Sequence, residues 1–261
     1  MATSSKLKAH PPAEVSFDWV GRNNATTFAG LCARHDNDIF REIDDHIPDH
    51  CNPEHLFLLA YRSVLRELHA VIQNAIRIQL TYQKRVEIGV SPGDAPCQAG
   101  LLATAYVINA YESYEYKRQF DQVYLSQGWN ELHHEVIRLA DQRPTVAVSA
   151  MFSLDEVEAP ETPRATLNIY PAGQDVIAVV SSTAADRPYV APLVSRIVTA
   201  EGHYQKYLLS RLVLQRTSNF VLAPSHFDTL TATQKQAMCQ YFVDTFIDDY
   251  DDRDDHNLYL F

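Results

Sequence analysis

The chain has 261 residues, of which 46% are hydrophobic and 21% charged, with a formal net charge of −11. That length is enough for one large domain or two small ones around a real core, and the acidic balance counts against non-specific binding to phosphate backbones. No run of 18 apolar residues occurs, so no membrane span is expected. Four cysteines without a leader segment point to free thiols and a cytoplasmic location.

Residues 1–16, MATSSKLKAHPPAEVS, read as a flexible arm, since Ser, Lys and paired Pro disfavour regular structure. Residues 17–143 then read as a helical region. Its opening part, residues 23–55, carries Cys32, Cys51, His35, His46, His50 and His55 among several aspartates. Asn52, Pro53 and Glu54 form a helix start: a capping amide, a residue suited to the first position, and an acid at the positive end of the dipole. Apolar residues at three- and four-residue steps from Leu56 to Ile78 predict an amphipathic helix running to about Lys84. Gly89-Val-Ser-Pro-Gly93 breaks it, and a second long helix is predicted from Cys97 to Leu125, packing antiparallel to the first. The segment WNELHHEVIRLAD, from Trp129, is expected to form a shorter helix with His133 and His134 on its polar face.

From Pro144 the period changes to two. TVAVSAMFSL and RATLNIYPAGQDVIAVVSS predict three strands, with PAGQD as the turn between the last two. Helices are expected again from Tyr189 to about Val213 and from Thr231 to about Asp249. Residues 144–247 thus form an α+β region, sharing one core with the helical part or standing apart from it. Residues 248–261 form an acidic tail with six Asp between Asp248 and Asp255 and an apolar end, Leu258 to Phe261, suited to docking on the body or on a partner. The predicted class is α+β: a helical N-terminal half with two long antiparallel helices, and a small antiparallel sheet flanked by helices in the C-terminal half.

Cys32 and His35 have C-x-x-H spacing, which lets both side chains turn toward one ion. With His50 (or its neighbour Cys51) and His55 they make a candidate zinc set. Without a metal, Cys32 and Cys51 act as small apolar residues, and Asp36, Asn37 or Asp38 caps the helix through IFREID. The run from Asn24 through Cys32-Ala-Arg-His35-Asp36-Asn37 resembles the second half of an HNH endonuclease motif, with His10 where that family has its general base. The resemblance covers residues 10–37 and implies a divalent metal on the scissile phosphate, a base at His10, and catalytic roles for Asn24 and His35. The family's upstream C-x-x-C is absent.

Other chemistry is sparse. No G-x-S-x-G, P-loop or G-x-G-x-x-G occurs. Ser225-His226 reads as a turn before a helix, and Cys97 follows Pro96 at a helix start, where the dipole favours a thiolate. The tyrosines at 106, 111, 114, 116 and 124 read as helical packing or as a stacking surface for bases. Arg62, Arg66, Arg77, Lys84 and Arg85 are spread along one helix and form no nucleic-acid patch. Three functions follow: a cytosolic microbial binding or regulatory protein with a Cys/His-organised N-terminal segment and a protein partner; a metal-dependent HNH-like nuclease; and an acidic interaction protein that imitates nucleic acid.

Overall fold

The computed structural model describes residues 15–21, 28, 30–217, 219–247, 255 and 257–261. Among them the first helix, α1 (Ala33–Asp44), starts at Cys32 and buries Phe40 and Ile43. It lies on the second helix, α2 (Pro53–Glu87), where Arg62 clasps Asp44 with two hydrogen bonds of 2.6 Å and sits over the Phe40 ring. Asn52 caps α2 as the sequence predicts: its Oδ1 accepts from the Glu54 amide at 2.9 Å.

α2 and α3 (Gln98–Ser126) form an antiparallel hairpin. Its seam follows a seven-residue repeat. Leu68, Val71, Ala75, Ile78 and Tyr82 are buried or half-buried on α2, as are Ala99, Ala103, Tyr106, Ala110 and Ser113 on α3. Tyr61, which donates to Asp121 at 2.7 Å, fixes the register near the body. Toward the tip, Tyr82 packs against Gly100 so closely that a Cβ there would sit 3.2 Å from its hydroxyl. Gly89, at φ +72°, turns the chain at the end of α2.

After a 3-10 turn (Trp129–Glu131) the chain enters a strand, β1 (His133–Leu139), where the sequence predicts a helix. Leu132, Val136, Leu139 and Ala140 do recur at helical spacing, but β1 pairs along its length with β4. Tertiary pairing to that β-branched strand overrides the local period. β2 (Val146–Ser153), β3 (Arg164–Ala172) and β4 (Asp175–Ser182) are the three predicted strands. PAGQD is narrower as a turn than expected: Pro171 and Ala172 still pair, and Gly173 at φ +67° begins a two-residue loop. A short fifth strand, β5 (Phe220–Leu222), adds to β2. The antiparallel order β1-β4-β3-β2-β5 is a Greek-key arrangement, since β1 lies beside β4 rather than its successor.

The remaining regular elements among the described residues are helices. The predicted helix after Tyr189 is two, α4 (Arg187–Val198) and α5 (Gly202–Arg216), parted where Gly202 takes φ +55°. A single-turn α6 (Pro224–Phe227) precedes α7 (Ala232–Ile247). The sheet is buried on both faces. Val176, Ala178 and Val180 of β4 join a core with α4, α5, α7 and the last residues of the chain, whereas Ile177 and Val179 meet Leu56 of α2. A separate cluster ties α1, α2 and α3 to Met151 of β2. The fold is therefore α+β, with helical layers on each side of one antiparallel sheet.

Candidate functional site

The N-terminal Cys/His segment is partly assembled. Cys32 Sγ lies 3.3 Å from His35 Nδ1, exposed at the start of α1. His55 Nδ1 accepts from the Asp49 amide at 2.9 Å, while Asp49 Oδ1 accepts from the Cys51 amide at 2.9 Å, closing the turn before α2. His55 thus holds a loop with the nitrogen a metal would otherwise share. Between His35 and Asp44 run about nine helical residues, about 13 Å of rise, so the Cys32–His35 pair and the His50–His55 pair mark different ends of α1. Among the described residues no group of three or more His, Cys, Asp or Glu could hold a metal ion. His10 and Asn24, the remaining parts of the HNH-like constellation, lie outside the described residues.

The other sequence candidates have structural employment. His133 and His134 stand on opposite faces of β1, not on one helix face. His133 Nε2 is 2.8 Å from Glu135 beside α4, and His134 Nδ1 is 2.8 Å from Ser181 Oγ on its cross-strand partner. Burial, helped by the charge of His133, pushes the His134 pKa down to about 4. Ser225 and His226 sit in α6, where burial alone lowers the His226 pKa. Cys97 Sγ accepts from the Gly100 amide at 3.4 Å and acts as the N-cap of α3. The tyrosine run divides: Tyr116 is buried beneath Arg164, and Tyr124 stacks on Tyr61 and Phe57, but Tyr111 and Tyr114 are exposed.

That division leads to an exposed apolar surface on the α2–α3 hairpin. The buried residues of α2 end at Leu68 apart from Ala75, and those of α3 begin at Ser113 apart from Ala103. Beyond them the hairpin buries little, and Ile72, Ile76, Leu80, Leu101, Val107 and Ile108 are exposed there, Ile108 on the side that faces the sheet across a cleft. From Leu68 to Gln83 the sole formally charged residue is Arg77, and from Cys97 to Tyr114 it is Glu112. A solvated helix pair normally carries charge on its outer faces. The signal was in the sequence as two charge-poor helical stretches, but amphipathic periodicity hides it because the seam residues also score as apolar.

A second feature lies between the hairpin and the sheet, a cleft of about 680 Å³ lined by Glu67, Glu112, Asp155, Arg164 and Arg216. Burial raises the Glu67 pKa, opposed by Arg66 alongside. Its cations are already engaged, Arg164 with Glu112 at 3.5 Å and Arg216 with Glu156 at 2.5 Å. No family model matches the chain, and neither a curated protein nor a solved structure is similar enough to it to count as a match.

Proposed function

We propose that this chain is a non-enzymatic binding or regulatory protein whose interaction element is the distal α2–α3 hairpin. The supporting observation is the exposed apolar surface on two helices that carry one Arg and one Glu over more than thirty residues. Exposed apolar side chains gathered on two charge-poor helices support a contact surface, because solvation alone gives no reason to keep them. In this reading the Cys/His segment is scaffolding: Cys32 and His35 open α1, His55 and Asp49 close the turn into α2, and the Arg62–Asp44 clasp sets the base of the hairpin. A protein partner is expected on the hairpin, in keeping with a chain in which no described helix is long and apolar enough to cross a membrane.

The test compares the wild-type chain with Ile76→Glu in binding and in catalysis. Association should be lost in the variant while the melting temperature holds, and neither protein should hydrolyse DNA, RNA or nucleotides with Mg²⁺ or Mn²⁺. Cleavage that disappears in His35→Ala would replace this reading with the nuclease. Elemental analysis addresses the zinc alternative independently: zinc near one equivalent, lost in Cys32→Ser, would restore the four-ligand set of Cys32, His35, His50 and His55.

A further inference from the structure

In the seven-residue frame of the seam, the two flanks of the hairpin differ. One flank turns toward the sheet: Ser63 of α2 donates to Asn168, and Glu112 of α3 meets Arg164. The opposite flank is covered near the body by α1, through Arg62 and Phe40, and by Phe28, whose ring lies 6.2 Å from that of His69; from Ile72 onward no described residue outside the hairpin covers it. Ile72 and Ile76 lie on this open flank of α2, and Val107, Tyr111 and Tyr114 on that of α3, all exposed. Between them stand Gln79, Gln83 and Thr104, so the open flank from Ile72 to Val86 and from Gly100 to Tyr114 holds no Asp, Glu, Lys or Arg.

We propose that this flank is a homodimer interface, on which a second copy of the chain stacks its own hairpin to complete a four-helix bundle. The proposal rests on the hairpin being the binding element and names its occupant. Three observations select a second copy. First, the net charge of −11 opposes association of two copies, so they can meet only where the contact adds no further like-charge pairs, and this flank adds none. A partner recognised by opposite charge would need charged residues here to steer it. Second, a two-fold contact sets residue i against residue j and j against i, with only the residues on the axis meeting their own copies, so the patch must be complementary to itself. The side chains present tolerate that: Ile and Val pack on themselves, while Gln, Thr and Tyr each offer both a donor and an acceptor. Third, the open flank runs about 16 residues along each helix, about 24 Å, and is about 20 Å across, which approaches the ~800 Å² per partner of a standard interface once side-chain relief is counted.

Sedimentation of the 261-residue chain tests this from about 1 to about 100 μM. The wild type should sediment at twice its 29.6 kDa mass. Ile76→Glu places two carboxylates in the interface and should weaken dimerisation at least ~100-fold without changing the circular dichroism. Val198→Glu is the control: Val198 and Ile76 are each 45% exposed, but Val198 lies on α4, and its variant should remain dimeric. A monomeric wild type overturns the proposal, whether a different protein or residues 1–29 of the same chain cover the flank. So does a dimer that Ile76→Glu leaves intact or that both substitutions weaken equally. A monomeric wild type whose binding to another protein is lost in Ile76→Glu would end the dimer while leaving the hairpin its binding role.

Discussion

At the scale of single residues, the polar groups between the sheet and α2 are a row of buried side chains. Ser63 lies 3.0 Å from both Ser149 Oγ and Asn168 Oδ1, and Asn219 donates to the Ser149 carbonyl at 2.8 Å. His134 and Ser181 continue the same face of the sheet one strand pair away. A histidine buried there resists protonation, which makes it a source of acid instability. Its pKa falls from 6.5 to about 4 on folding, so between those values the unfolded chain takes up a proton that the folded chain refuses. Stability from this group is complete above pH 6.5, declines as the pH falls toward 4, and is about 3 kcal/mol lower below it. His134→Asn removes the titration. Urea unfolding of both proteins at pH 7, 5.5 and 4.5 should show the wild type losing stability faster with acid, and parallel curves would rule His134 out as the cause.

At the scale of elements, the hairpin and β1 show what the sequence could and could not announce. The α2 start was legible because Asn52, Pro53 and Glu54 act locally on the first turn, and the three middle strands because alternation of Val, Ile and Ala matches a sheet. β1 was not legible, since its pairing to β4 joins residues about forty positions apart and leaves a local pattern that also fits a helix. The candidate metal set failed to gather for a related reason: spacing along the chain gives no measure of the helix, α1, that separates the two pairs. The seam of the hairpin, by contrast, is governed by small residues. Ala75 and Ala103 are the buried positions of its distal half, so the helices approach closely there. Ala103→Leu should force them apart and lower stability by about 1–3 kcal/mol in urea unfolding. The same change at an open position would shift stability by less than about 0.5 kcal/mol, which is the result that would contradict a close-packed seam.

At the scale of the whole molecule, the last residues of the sequence close the layer opposite the hairpin. Leu258, Leu260 and Phe261 are buried in the core with α5, whose residues from Tyr207 to Leu214 are all buried. The Leu260 amide donates to Ser210 Oγ at 2.9 Å, and Tyr259 stacks on His203 with ring centroids 4.4 Å apart. The apolar end therefore docks on the body, and α5 is covered by the sheet on one side and by this segment on the other. A segment that completes a core has the energetics of a core. Leu260→Ala should destabilise the chain by about 2–5 kcal/mol, as for a buried leucine elsewhere, and Ser210→Ala by about 1 kcal/mol through the lost hydrogen bond. Both values are read from urea denaturation at pH 7, where His134 contributes no slope. If the ending were surface decoration, Leu260→Ala would fall within about 0.5 kcal/mol of wild type, and the second face of the sheet would have to be closed by α4, α5 and α7 alone. Because this face lies across the sheet from the hairpin, destabilising it should leave the association measured with Ile76 unchanged, provided the chain stays folded.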